Sequence, residues 1–175
     1  RGKPASHIRF GESTAILAGN SLLTLAFEII SNDKYKIKTE AKVKLIKELA
    51  ICSGHTGIAG GQYLDLNYEK KKKNFNQIID MQRKKTGKLF NFCCLSAGIV
   101  ANKNIKEQKF LGKLGEDIGL LFQLADDFID VKGSQKLTGK PTKKDKKKGK
   151  STLISLIGYK KTYNFAINLR RNILR

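Results

Sequence analysis

Apolar side chains recur every three or four residues through most of this 175-residue chain. That spacing places them on one helix face, so it predicts α-helices wherever it is sustained. No stretch alternates apolar and polar residues in the manner of a half-buried strand. The sequence therefore predicts an all-α helix bundle, with helices over Glu12 to Ser31, Thr39 to Ser53, Ile58 to Leu66, Phe75 to Ala101, Ile105 to Val131, Thr152 to Tyr159 and Tyr163 to Leu174.

Two segments, Ser13 to Ile30 and Leu89 to Ala101, are apolar on more than one helix face. Such helices are usually buried from several sides, so we expect them at the centre of the bundle. The helix predicted over Phe75 to Ala101 also contains a Lys-Thr-Gly tripeptide that begins at Lys85. Glycine inside a helix costs about 1 kcal/mol relative to alanine, and we expect a kink here that serves a bound ligand.

Five of the fifteen acidic side chains lie between Glu116 and Asp130, and three of them form the cluster Asp126, Asp127 and Asp130. Asp126 and Asp130 lie one turn apart on the same face of the predicted helix, with Asp127 about 100° around from Asp126. Like charges at this spacing repel each other, so a cation is needed unless the cluster is a solvated helix end. Mg²⁺ prefers oxygen ligands and commonly takes one or two carboxylates together with phosphate oxygens. The cluster therefore indicates a metal site, with the solvated helix end as its alternative.

The segment from Lys132 to Lys150 contains nine lysines and a single acid, Asp145. Its glycines and its proline interrupt any helix, so it is predicted to be a loop. Lys140 and Lys150 each follow a glycine, which lets the backbone approach a ligand closely. A basic loop directly after an acidic cluster fits a polyanion that a metal holds on its other side, and diphosphate fits best. Lys143, Lys144 and Lys146 to Lys148 are interpreted as solubilising.

The whole chain carries 35 Lys and Arg against 15 Asp and Glu, a formal net charge of +20. This charge predicts non-specific attraction to polyanions and leaves a basic, nucleic-acid-binding helical protein as an alternative function. The aromatic residues lie in apolar runs instead of among the basic ones, and no recognition motif accompanies the charge. We therefore expect no specific nucleic-acid partner. The length and the 40% hydrophobic content suit one domain, or a large part of one, with a substantial core.

Cys52, Cys93 and Cys94 show neither metal-finger spacing nor a disulfide framework. We expect them to be free thiols buried in helices of a cytoplasmic protein. The sequence shows no signal-peptide pattern and no uncharged apolar stretch of about 18 to 20 residues, so we expect no transmembrane segment. His7 and His55 are assigned no function.

Seven short motifs follow one another along nearly the whole chain. They are RGKPASH (1–7), FGESTAILAGNSLLTLAFEII (10–30), GGQYLDL (60–66), KTGKLF (85–90), GLLFQLADDFIDV (119–131), TGKPTKKD (138–145) and GKSTLISLIG (149–158). With this ordered set the chain resembles the trans-isoprenyl diphosphate synthases, the all-helical polyprenyl synthetase family, and most closely its bacterial farnesyl diphosphate synthase branch. The FQxxDDxxD pattern within the fifth motif makes the resemblance highly specific.

The resemblance implies an Mg²⁺-dependent prenyltransferase that condenses an allylic diphosphate with isopentenyl diphosphate. Its product would be a short-chain isoprenyl diphosphate, farnesyl or geranylgeranyl. In this family two Asp-rich motifs hold Mg²⁺, which neutralises the charge that develops on the leaving diphosphate. Asp126, Asp127 and Asp130 match the second of these motifs. Family members are commonly homodimers, so a homodimer is expected here too.

The resemblance also assigns substrate-binding and catalytic roles outside the acidic cluster. Six residues match such positions: Arg1 for isopentenyl diphosphate, Lys85, Lys140 and Lys150 for the allylic diphosphate, and Thr86 and Gln123 for the developing cation. A guanidinium suits the fork of a phosphate, and oxygen dipoles stabilise a carbocation. The alternatives are a surface charge for Lys85 and a capping role between helices for Gln123. Gln62 and Asp65 are interpreted as supporting or packing residues.

One feature departs from the family pattern: the first Asp-rich motif, which should immediately precede RGKP, is absent. We interpret residues 1–175 as a single polyprenyl synthetase domain that is truncated N-terminally, and C-terminally soon after Leu174. On this interpretation the chain alone would self-associate through exposed apolar faces and would not turn over substrate. An inactive or regulatory fragment of such an enzyme is therefore the second alternative.

Overall fold

The computed structural model describes residues 3–132 and 150–175, and within those ranges it contains helices and no strand. The predicted all-α fold is confirmed. In chain order the elements are α1 (Ser6–Phe10), α2 (Glu12–Ser31), α3 (Thr39–Ser53), α4 (Ile58–Tyr68), α5 (Phe75–Gln82), a π-helical turn (Arg83–Gly87), α6 (Lys88–Val100), α7 (Ile105–Lys132), α8 (Leu153–Ile157) and α9 (Tyr159–Ile173).

The break between the last two helices lies at Gly158, and the predicted break after Tyr159 is wrong. Thr152 and Ser155 close a capping box that starts α8, with the Ser155 amide donating to Thr152 Oγ1 at 3.2 Å. Gly158 then takes a φ of 81°, a left-handed backbone that glycine adopts without steric cost. The chain can therefore change direction there, and α9 begins at the next residue. The short helix α1 was not predicted.

The main hydrophobic core surrounds the C-terminal half of α7. Leu120 and Leu124 of α7 are fully buried, and they pack with Ile78 and Met81 of α5 and with Leu153 of α8. Helix α9 adds Ala166 and Leu169 to the same cluster. Three separate parts of the chain are thus fixed against α7 beside its acidic cluster.

Helix α2 contradicts the expectation that it is buried all round, because none of its residues is buried. It lies on the outside of the bundle against α1 and α3. The ammonium of Lys42 on α3 closes its C-terminal end, donating to the Asn32 carbonyl at 3.0 Å and to Asp33 Oδ1 at 2.7 Å. Of the helices in the described ranges, α2 alone is long and apolar enough to cross a membrane, judged by length and composition.

The three cysteines are free, and they differ in burial. Cys52 is buried and donates its thiol hydrogen to the Lys88 carbonyl at 3.1 Å, whereas Cys93 is exposed and Cys94 is half-buried. The expectation that Cys93 is buried is therefore wrong, because α6 turns that residue toward solvent. Burial raises the pKa of the Cys52 thiol to about 11.

Candidate active site

Helices α5 and α6 form one continuous helix that the π turn, Arg83–Gly87, interrupts at mid-length. A π turn carries an extra residue per turn and is found mostly as a single irregular turn at functional sites. It contains Lys85 and Thr86, two of the residues that motif matching assigned to substrate. At the Lys-Thr-Gly tripeptide, where a kink that serves a ligand is predicted, the structure has a π turn within the helix, and the kink itself stays a prediction.

Two glycine contacts place the π turn between α4 and α7. A Cβ atom on Gly61 of α4 would lie 2.2 Å from the Lys85 backbone nitrogen, so only glycine allows this approach. On the other side, a Cβ on Gly119 of α7 would lie 2.7 Å from the Cα of Gly87. These backbone contacts bring side chains of α4, the π turn and α7 to one location.

A buried polar network joins the π turn to the acidic cluster. Asp127 is 4% exposed, and its two carboxylate oxygens accept hydrogen bonds from Gln82 Nε2 at 3.0 Å and from Gln123 Nε2 at 2.9 Å. Gln123 Oε1 in turn accepts from the Thr86 hydroxyl at 3.0 Å. Amide donors to a carboxylate favour its ionised form, and they compensate for the burial of the charge.

Two of the three lysines predicted to bind diphosphate, Lys85 and Lys150, meet at Asp65 of α4. The ammonium of Lys85 donates to Asp65 Oδ2, and the ammonium of Lys150 lies 3.8 Å from the same oxygen. The Asp65 side chain is 10% exposed, so the two cations share a largely buried acid. Its interpretation as a supporting residue stays a prediction, and its position beside both lysines agrees with it.

A small cavity lies between these two groups of residues. Its lining includes Asp65, Lys85, Gln123, Asp127 and Lys150, and its volume of about 20 Å³ leaves room for one water molecule. Gln82 also lines it, and the buried Oε1 atom of Gln82 has no hydrogen-bond partner among the described residues. A buried acceptor without a partner normally indicates a water or ligand, because leaving it unpaired costs about 1–3 kcal/mol.

Asp126 directly precedes Asp127 on α7 and is half-buried. Asp130 lies three residues after Asp127 and is 8% exposed. Within residues 3–132 and 150–175 no three His, Cys, Asp or Glu side chains converge as a metal site. Carboxylates one helical turn apart suit Mg²⁺, which takes few carboxylates and binds phosphate oxygens readily. The assignment of Asp126, Asp127 and Asp130 as metal ligands fits this donor set and stays a prediction.

Two predicted site residues, Arg1 and Lys140, lie outside the described residues. Of the others, Lys85, Gln123, Asp127 and Lys150 line one cavity, and Thr86 is bonded to Gln123. Their individual roles in catalysis remain predictions.

Sequence reasoning missed Gln82 and Glu116. Gln82 gives no motif signal, because its partner Asp127 is 45 residues away in sequence. From the sequence, Glu116 was identified only as a member of the acidic stretch. Its contacts with Arg83 and Lys88 join different helices, so only the structure reveals them.

The sequence of the whole chain matches a model of the polyprenyl synthetase family over residues 1–174. The chain belongs to this family. Among curated polyprenyl synthetases, it is 42% identical to the farnesyl diphosphate synthase of Micrococcus luteus over 158 residues, which are 90% of this chain and 54% of the relative. It is 36% identical to geranylgeranyl pyrophosphate synthase 4 of Arabidopsis thaliana over 175 residues, which are 98% of this chain and 46% of the relative.

Solved polyprenyl synthetase structures share its fold. The crystal structure of a geranyltransferase from Helicobacter pylori, complexed with magnesium and isoprenyl diphosphate, superposes with a TM-score of 0.88 at 32% identity. The match covers 99% of this chain and 56% of that one. The chain spans about half the length of the relatives and structures that it matches.

Proposed function

We propose that this protein is an Mg²⁺-dependent prenyltransferase that condenses an allylic diphosphate with isopentenyl diphosphate to make farnesyl or geranylgeranyl diphosphate. The observation that carries the proposal is the cavity where Lys85, Lys150, Gln123 and Asp127 meet. It brings two cations, a polar oxygen and the acidic cluster together from distant parts of the chain. Relatives that are named for farnesyl and geranylgeranyl diphosphate synthesis support the product class.

Lys85 and Lys150 would bind the diphosphate of the allylic substrate. Both ammonium groups form ion pairs with the same oxygen, Asp65 Oδ2. A diphosphate oxygen would occupy a comparable position between the two lysines. As the carbon–oxygen bond of the substrate breaks, negative charge builds on the diphosphate, and fixed cations stabilise that charge without reorganising. When bound at Asp126, Asp127 and Asp130, Mg²⁺ would supply Lewis-acid stabilisation of the same group.

Thr86 and Gln123 would stabilise the allylic cation. The Thr86 hydroxyl uses its single hydrogen to bond Gln123 Oε1, so its own lone pairs remain available as acceptors. Oxygen lone pairs directed at a carbocation lower its energy, and here their orientation is fixed before the reaction.

The three free thiols support a cytoplasmic location. We also propose a homodimer, because the apolar faces of α2 are not covered by the other described residues.

The test uses the product of the complete gene with labelled isopentenyl diphosphate, geranyl diphosphate and Mg²⁺. We expect labelled C15 or longer product, and we expect Lys85→Met and Asp126→Ala to reduce its formation at least about 100-fold. Two matched variants serve as controls: Lys84→Met on the same turn and Asp80→Ala on α5, whose side chains pair only with each other at 2.7 Å among the ion pairs described. Absence of labelled product at every Mg²⁺ concentration would reject the proposal.

The same preparation separates the two alternatives. A nucleic-acid-binding protein would retain oligonucleotides in a salt-sensitive manner and would be indifferent to Asp126→Ala. An inactive or regulatory fragment would gain turnover only when a partner protein is added.

A further inference from the structure

The π turn is an irregular element that its neighbours must hold in place. Its hydrogen-bond register is rare and unfavourable compared with a regular helix, so it persists only where surrounding contacts stabilise it. Gly61 and Gly119 allow α4 and α7 to approach it, but glycine contributes no side-chain contact. Some other group must fix its position along α7.

Glu116 of α7 contacts both ends of the π turn. Its Oε2 lies 3.3 Å from Nη1 of Arg83, the first residue of the turn. Its Oε1 lies 2.8 Å from Nζ of Lys88, the residue that directly follows the turn. One carboxylate therefore spans the whole π turn, while Lys85 and Thr86 lie between its two partners.

Arg83 adds a second contact with α7, because its Nη2 lies 2.6 Å from Asp117 Oδ1. The guanidinium thus binds two consecutive acids with its two arms, a geometry that lysine cannot reproduce. The group is shielded from solvent: the side chains of Arg83, Glu116 and Asp117 are 23%, 15% and 22% exposed. Ion pairs with this degree of burial fix geometry more firmly than exposed pairs do.

We propose that Glu116, together with Arg83, is a positioning residue that sets the register of the π turn against α7. Glu116 lies seven residues, about two helical turns, before Gln123 on the same helix. Fixing the ends of the turn on Glu116 therefore fixes the distance between Thr86 and Gln123, and with it the hydrogen bond that orients Thr86. Neither Glu116 nor Arg83 lines the cavity, so they act through Lys85 and Thr86.

The first experiment measures steady-state kinetics of the complete gene product, and its activity readout rests on the proposed function. We expect Glu116→Gln and Arg83→Met each to lower kcat about 10- to 100-fold, because small displacements of catalytic groups have effects of this size. The loss in the double variant should be smaller than the two single losses combined, because both single variants remove the Arg83–Glu116 contact. Lys84→Met, within the same turn but paired with Asp80, should keep wild-type kinetics.

A second measurement does not depend on activity. Amide hydrogen exchange of the 175-residue chain should accelerate at Lys85 to Lys88 in Glu116→Gln and remain unchanged there in Lys84→Met. Should Glu116→Gln lose its helical circular dichroism, Arg83→Lys, which keeps the charge without the two-armed fork, provides the same comparison. If the wild-type protein shows no turnover, the proposed function is rejected. The hydrogen-exchange measurement still tests the positioning role, because it does not require activity.

Two results would overturn the positioning role. One is unchanged exchange at the π turn in Glu116→Gln. The other is a lower thermal stability of Glu116→Gln and Arg83→Met with unchanged kcat and KM, which is what a purely structural ion pair would produce.

Discussion

The Asp127 carboxylate sets the direction of the two hydrogen bonds that it accepts from Gln82 and Gln123. An ionised carboxylate only accepts, so Gln82 and Gln123 must both present their NH₂ groups to it. Gln123 Oε1 therefore points to Thr86, and the Thr86 hydroxyl donates to it. The Asp127 carboxylate thus fixes the orientation of the Gln123 amide and, through it, the donor role of the Thr86 hydroxyl.

Replacing Asp127 by asparagine should break this order. The asparagine NH₂ would oppose the NH₂ of Gln82 or Gln123, or it would donate to a turned Gln82 Oε1 and leave the Gln82 NH₂ without its present acceptor. We expect the free energy of unfolding to fall by about 1–3 kcal/mol, measured by urea denaturation with circular dichroism. The control is Asp80→Asn, an exposed acid, with an expected change of at most about 1 kcal/mol. Equal losses in the two variants would contradict the role given to Asp127.

Cys52 offers a test of burial by pH. Its pKa is raised from 9.0 to about 11, chiefly by desolvation, so folding favours the neutral thiol. The stabilisation from the neutral thiol is complete below pH 9 and is lost as pH rises toward 11. Because the thiolate is the nucleophile, iodoacetamide at pH 8 should modify the exposed Cys93 much faster than Cys52. Fragment-ion mass spectrometry of tryptic peptides, which separates Cys93 from the adjacent Cys94, gives both rates, and comparable rates would show that Cys52 is not shielded.

Some residues of the candidate site could be identified from sequence motifs, whereas the others were identified only from the structure. Lys85, Thr86, Gln123 and Asp127 could be named from the sequence because each stands in a distinctive motif. Gln82 could not, because it lies outside the motifs and its role comes from a contact between helices. Burial of a single atom, such as Gln82 Oε1, is a property of the assembled bundle.

Helix α7 carries a row of glycines that lets its neighbours approach. Gly112, Gly115 and Gly119 are spaced by three and four residues, so they share one face. A Cβ on Gly115 would lie 2.3 Å from the Phe90 carbonyl oxygen of α6, and Gly119 meets Gly87 as described above. An irregularity at the Lys-Thr-Gly tripeptide was predictable from helix propensity, but its π register was not, because that register depends on how closely α4 and α7 approach.

Gly61→Ala should displace the π turn from α4. The new methyl group would lie 2.2 Å from the Lys85 nitrogen, and a backbone atom cannot yield as a flexible side chain can. We expect a loss of about 1–3 kcal/mol in the free energy of unfolding, measured by chemical denaturation. Gly19→Ala of α2, with no atom within 4 Å of the new Cβ, should instead gain up to about 1 kcal/mol from helix propensity. A neutral or stabilising Gly61→Ala would refute the close approach.

Across the whole molecule, a formal charge of +20 coexists with apolar surface that the described residues leave uncovered. Leu22, Leu25 and Ile29 lie on one face of α2 and are 67%, 44% and 46% exposed. Soluble monomers rarely expose apolar patches larger than a few hundred Å², so such a face normally meets another protein surface. The apolar pattern of α2 was visible in the sequence, whereas its location on the outside of the bundle was not.

The 175-residue chain should therefore self-associate through α2. We expect light scattering after size exclusion to give a mass above the 19.6 kDa of one chain, and the double variant Leu22→Glu/Leu25→Glu to lower it. Phe110→Glu on α7, which replaces an equally exposed apolar residue elsewhere, should leave the mass unchanged. A monodisperse wild-type monomer would contradict this expectation.

The hydrogen bond between Gln82 and Asp127 joins residues 45 positions apart, and Ser151 reaches the Tyr68 carbonyl across 83 positions. Helices form from local contacts within about a microsecond, whereas contacts between distant residues must first overcome the entropy of loop closure. The cavity is therefore assembled late in folding. A refolding chain should regain its helical circular dichroism before the amides around Gln82 and Asp127 gain hydrogen-exchange protection, and the interval between the two signals would measure how long the bundle takes to close.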